Sequence, residues 1–117
     1  MTTKTTTRLS LSTLIAVLAM AIATKSPAQA ADLPVLQFRD HHFVPDHIDV
    51  PAGQKFTLQV QNLDATDDEF ESNDLDREEL VPAGKSITVY LGPLDPGTYH
   101  FFGDFHQDTA QGVLVAK

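Results

Sequence analysis

The chain has 117 residues, with sixteen Asp and Glu against eight Lys and Arg, a net charge of −8, no Cys, and Met only at positions 1 and 20. The lack of Cys excludes disulfides, thiol nucleophiles and every thiolate metal site, including the trigonal His₂Cys copper centre of electron-transfer proteins. The acid excess argues against nucleic acid or anionic lipid as partners and in favour of cations.

Residues 1–30 have the layout of an export signal. Lys4 and Arg8 form a positive start, residues 9–23 are apolar apart from Ser10, Ser12 and Thr13, and Ala28-Gln29-Ala30 fits a small-x-small cleavage site. The apolar run falls short of the roughly 20 residues a comfortable membrane span requires. The expected product is a periplasmic domain of 87 residues, 31–117. It keeps all sixteen acids but only five Lys and Arg, for a net charge of −11. A domain of that size holds one core. Without disulfides, bound metal or a partner is expected to contribute to its stability.

Within that domain, residues 34–39 alternate as a short strand, and His41-His42-Phe43-Val44-Pro45 interrupts it. Ile48-Asp49-Val50 resumes the alternation before a Pro51-Ala52-Gly53 turn. Residues 56–61 form the clearest period-two strand and end at Asn62. Residues 63–80 are polar and acidic, with a strand-like Glu69-Phe70-Glu71 and one helical turn expected within 74–79. A second Pro-Ala-Gly turn (82–84) leads to strand 87–91, a Pro-rich turn to strand 98–102, and residues 113–116 close the chain. Short strands between Pro/Gly turns predict an all-β antiparallel sandwich of about seven strands. Its expected core is Leu36, Phe38, Ile48, Val50, Phe56, Leu58, Val60, Ile87, Val89, Leu91, Tyr99, Phe101, Val113 and Val115.

Residues two apart on a strand share a face, so Glu69 and Glu71 point the same way while Phe70 anchors the other side. Two carboxylates held like this, near a loop bearing His, suit a hard or borderline cation; a solvated acidic edge is the alternative, and the Phe70 anchor favours the site. His106, in the loop Asp104-Phe105-His106, is the leading single candidate, with Asp104 beside it. His100 faces away from Tyr99 and Phe101, and an exposed strand His is as good a reading as a ligand. Of the neighbours His41 and His42 at most one faces the site, and His42 is the expected one. His47 is expected to face solvent, and Asp67 and Asp68 to supply support or bulk charge. The acidic run lacks the Gly and spacing of an EF-hand. No Gly-x-Ser-x-Gly elbow or phosphate loop is present. A zinc site of His and Glu stays open, although there is no His-x₃-His pair.

Phe43-x-Pro45, Ile48-x-Val50-Pro-Ala-Gly53, Val60-x-Asn62, Glu69-Phe70-Glu71, Arg77-Glu78, Pro82-Ala-Gly84, Gly97-x-Tyr99-x-Phe101, Gly103-Asp-Phe-His106 and the Gly112-Val-Leu114-Val115 ending together resemble the EfeO-type cupredoxin-like proteins of bacterial iron uptake. The resemblance implies a Greek-key cupredoxin sandwich. It places Glu69 about where a blue-copper member has its first His, Gly103 at the Cys, His106 at the second His, and Ala110 or Gln111 at the Met. It implies iron or copper as the bound ion, an inner-membrane iron permease and a periplasmic iron-binding protein as partners, and a stand-alone module where relatives are often fused to a second metalloprotein domain. Nitrogen and oxygen ligands suit iron, manganese, zinc and Cu(II). The expected function is therefore an accessory metal-binding protein rather than an enzyme. The proposed ligands are Glu69, Glu71 and His106, with His42 and His100 as further ligands and Asp104 nearby. The alternatives are a copper-dependent ferroxidase component and a metal-free interaction module.

Overall fold

Period-two alternation pleats the chain into nine strands in a computed structural model that describes residues 34–117, residue 2 and residues 21–23. The expected cleavage site and most of the export signal lie outside the described residues. In chain order the strands are β1 (Val35–Arg39), β2 (His42–Val44), β3 (His47–Val50), β4 (Phe56–Asn62), β5 (Asp68–Ser72), β6 (Arg77–Val81), β7 (Ser86–Leu91), β8 (Gly97–Gly103) and β9 (Gln111–Ala116). A 3-10 turn, Asp104–His106, joins β8 to the last loop. One sheet runs β2-β1-β4-β7 and the other β3-β9-β8-β5-β6. They face each other as the expected Greek-key sandwich. Among the described residues no helix is long and apolar enough to cross a membrane.

The core lies between the sheets. Leu36 and Phe38 of β1 pair in parallel register with Val60 and Asn62 of β4, and Leu58 and Val60 are fully buried beside them. Four aromatic rings join the two sheets. Phe43 sits 4.4 Å from Phe38 and 5.0 Å, edge-on, from Phe101, which lies 5.4 Å from Phe70. Burial of such rings is the main driving force available to a small domain without disulfides.

Three sequence expectations need correction. The His42–Val44 stretch is a strand rather than an interruption, pairing with β1 through Phe38↔Phe43. The helical turn expected within 74–79 is instead a turn at residues 73–76, with Asp76 at φ 53°, followed by β6, a charged edge strand of the kind that discourages edge-to-edge pairing. In β9 the buried residues are Leu114 and Ala116, not Val113 and Val115. Gly112 sets that parity. It stands opposite Phe101, and a Cβ there would come within 2.4 Å of the ring. Position 112 therefore faces the core without a side chain, and 114 and 116 follow it inward.

Candidate metal centre

Strand β5 is central to its sheet, between β8 and β6, and its five residues alternate strictly. Asp68, Phe70 and Ser72 are buried, while Glu69 and Glu71 sit half-buried on the outer face. Glu71 is opposite Glu78 of β6 and Phe102 of β8. The 3-10 turn that follows β8 brings Asp104 to the same face. Glu69, Glu71 and Asp104 can each offer an oxygen such that all three lie within 4.8 Å of one another. Oxygens bound to one ion at 2.0–2.6 Å are at most about 5 Å apart, so the trio can share a cation.

Crowding is visible in the acidities. Burial first, then hydrogen bonding and repulsion from Glu78, with further repulsion from Asp104 and Glu71, push the Glu69 carboxyl above its usual range. Glu71 is raised as well, by partial burial and by repulsion from Asp104 and Glu78. No ion pair among the described residues offsets this charge.

The inner face of the same strand is built differently. Asp68 is only 2 % exposed. Its Oδ1 accepts the amides of Glu69 (2.8 Å) and Phe105 (3.2 Å), and its Oδ2 lies 2.6 Å from Nδ1 of His106. The His106 ring stacks on His41, with centroids 3.6 Å apart. His41 is presented by a β1–β2 turn in which Asp40 and His41 both have positive φ, 51° and 58°. Asp64 holds that turn by accepting both backbone amides, at 2.7 and 3.0 Å. Asn62, buried at the end of β4, fixes the loop behind it. Its Nδ2 donates to the Thr66 and Val81 carbonyls and its Oδ1 accepts the Asp64 amide. Thr109 donates its hydroxyl to the His41 carbonyl and closes the ring of contacts.

The structure thus brings Glu69, Glu71 and Asp104 together and places the other three candidates elsewhere. His106 belongs to the Asp68 pair. His42 is exposed, with Nδ1 2.7 Å from the Asp40 carbonyl. His100 is exposed beside Asp74, which accepts its amide at 2.8 Å. The residues that sequence reasoning underweighted are Asp68 and His41. Asp68, not Glu69, is the acid that turns inward toward His106, and His41, not His42, packs against it.

A thiolate copper centre does not fit this inner face. A Cβ at Gly103 would lie 2.8 Å from the Ala110 Cβ, 2.8 Å from the Phe38 ring and 3.0 Å from Asp68 Oδ1. The position is therefore packed shut as well as lacking a sulfur. The short contact between Asp68 and His106 occupies both of their facing atoms.

Comparison with known proteins agrees with this architecture. The Cupredoxin-like domain family matches residues 12–116. An uncharacterized protein of Rickettsia prowazekii (strain Madrid E) is 50% identical over 82 residues, covering 70% of this chain and 66% of that protein. The match thus spans just under two thirds of that relative's length. Among solved structures, auracyanin A, a "blue" copper protein from Chloroflexus aurantiacus, superposes with a TM-score of 0.62 at 16% identity, covering 71% of this chain and 96% of that one. Amicyanin from Paracoccus versutus gives 0.60 at 15%, covering 75% and 84%. A purple cupredoxin from Nitrosopumilus maritimus gives 0.58 at 14%, covering 72% and 99%. At these identities the structural likeness speaks to the fold.

Proposed function

The chain belongs to the cupredoxin-like domain family, and from that premise we propose that it is a periplasmic metal-binding protein that carries iron as cargo rather than electrons through copper. The observation that carries this reading is the convergence of Glu69, Glu71 and Asp104 within 4.8 Å on the outer face of β5. An all-oxygen ligand set suits hard and borderline cations, iron among them, and disfavours soft ones. A position that stays half-open to solvent lets the ion be received and handed on. The acid excess of residues 31–117 would raise the local concentration of cations around the site. The resemblance to EfeO-type proteins supplies the context, an inner-membrane iron permease with a periplasmic iron-binding partner as recipients.

In this reading Glu69, Glu71 and Asp104 hold the ion, and Glu78 adds charge from the neighbouring strand. The Asp68–His106 pair takes no part in ligation. It fixes the backbone at residues 69 and 105 through the two amides that Asp68 accepts, and so sets where the outer carboxylates stand.

The test is an anaerobic titration of the exported, metal-stripped protein with Fe(II), Cu(II) and Zn(II), comparing wild type, Glu69→Gln and His106→Ala. The reading expects stoichiometric binding that weakens about tenfold or more in Glu69→Gln and much less in His106→Ala. Fe(II) oxidation that requires added copper would turn the reading into a ferroxidase component. No binding beyond that of an unrelated acidic protein would leave an interaction module.

A further inference from the structure

Two of the few cations in this acidic chain meet where the edge strands β6 and β7 approach each other. Lys55, Phe56, Arg77, Tyr90 and Leu91 line a cleft of about 450 Å³ there, within the usual range for small-molecule pockets. Residues 34–117 contain five Lys and Arg. Lys117 pairs with Asp49 at 3.0 Å, and the other four, Lys55 and Arg77 among them, form no ion pair among the described residues. Lys55 and Arg77 share one cleft, with aromatic side chains beside them.

Hydrogen bonds hold one side of the cleft in place. Arg77 donates Nη1 to the Asp76 carbonyl (2.9 Å) and Nη2 to the Tyr90 carbonyl (3.1 Å). These bonds fix the guanidinium between the two sheets and use only part of its five N–H donors. Phe56 is partly buried against the core and Tyr90 is 71% exposed, so the walls offer aromatic surface beside the charges. Gly92 shapes the rim, with φ 81° and no room for a Cβ, which would lie 2.5 Å from the Gln54 carbonyl oxygen. We propose that this cleft binds a small organic anion with an aromatic body, its anionic group held by Lys55 and Arg77 and its ring against Phe56 and Tyr90. The assignment does not rest on the carboxylate trio, and either one stands if the other fails.

The experiment is a ¹H–¹⁵N NMR titration of the full, metal-free protein with 1-naphthoate. Acetate, 1-naphthalenemethanol and a tetraglutamate peptide serve as comparison ligands. The proposal expects saturable shifts at the amides of Lys55, Phe56, Tyr90, Leu91 and Gly92. It also expects about tenfold weaker binding in Lys55→Gln, a substitution of a side chain with no structural partner, with the remaining spectrum unchanged. Arg77→Lys, which keeps the charge and loses the fork, is expected to weaken binding severalfold. Equal binding of acetate would reduce the cleft to general anion attraction, and equal binding of the alcohol would reduce it to an apolar dimple. Binding of the peptide alone would make it a protein-docking surface. Each of these results, or the absence of saturation, overturns the proposal.

Discussion

The two faces of β5 place the same chemical group in opposite circumstances. Asp68 points inward, is almost fully buried, and has its lone pairs occupied by two amides and an imidazole. Glu69 and Glu71, its near neighbours in sequence, point outward into a crowd of like charge that no cation within the described residues relieves. A satisfied carboxylate is structure, and crowded ones invite a ligand. The fold keeps the two apart by one residue of strand register, so that the proposed ion site lies outward while the inner end of the sandwich is closed.

Breaking the inner face is expected to have the largest effect. Asp68→Ala leaves two partly buried amides and the His106 ring without their acceptor, a loss of about 3 kcal/mol. That corresponds to a fall of more than about 10 °C in Tm for a domain of this size, measurable in a thermal melt of the metal-free protein. An unchanged melting temperature would mean that water replaces the carboxylate and that the pair is not structural. The outer face answers in the opposite way. Glu69→Gln with Glu71→Gln is expected to leave the metal-free fold intact while abolishing metal-induced stabilisation, which for wild type should reach about 2.7 kcal/mol at a free metal concentration one hundred times Kd. A double variant that still responds to metal would place the ion elsewhere.

Gly103→Cys sharpens the contrast from a third direction. If the inner face had merely lost a sulfur, restoring it would regenerate a thiolate copper centre. Because Ala110, Phe38 and Asp68 crowd the position, overpacking of about 1–3 kcal/mol is expected instead, with no intense visible absorption on addition of Cu(II). A coloured, stable variant would show that the Asp68–His106 contact opens readily.

These contrasts were unevenly legible in the sequence. Strand β4 could be read because Leu58 and Val60 alternate with Thr57, Gln59 and Gln61, and period-two patterning survives folding wherever one face is buried. In β9 nearly every residue from 112 to 116 is small or apolar, so either parity looked acceptable. The choice was made by the fit of Phe101 over Gly112, a tertiary contact. The run Asp67-Asp68-Glu69 offers three adjacent acids, and only the register of β5 decides which one turns inward. In an extended segment only one of His41 and His42 can face the site, and nothing local marks His41 as that one. The left-handed turn that swings His41 onto His106 is held by Asp64, 23 residues further on. Glu69-x-Glu71 was legible as a same-face pair, and the arrival of Asp104 beside it was not, since that depends on how β8 ends.

The smallest expected effect, and the most direct test of crowding, is the pH dependence of metal-free stability. A carboxyl whose acidity is weakened on folding holds its proton more tightly in the folded state. Stability therefore falls as pH rises from the ordinary value, 4.5 for Glu69 and Glu71, through the raised folded one, and stays lower above it. Asp49, hydrogen-bonded to Lys117 and His47, and Asp74, hydrogen-bonded to the His100 amide and ring, are shifted below 3.8 and act with the opposite sign. Their contribution is present above 3.8 and is lost as pH falls through the depressed values. The two pairs thus occupy separate windows, a gain complete near pH 4 and a decline that begins above it. In Glu69→Gln with Glu71→Gln the decline should vanish while the acid-side gain remains. Saturating metal should remove the decline in the wild type, because binding requires the ionised carboxylates and compensates their charge. If the decline persists in the double variant, the repulsion lies elsewhere on the acidic surface, and the outer face of β5 loses its claim to be the strained one.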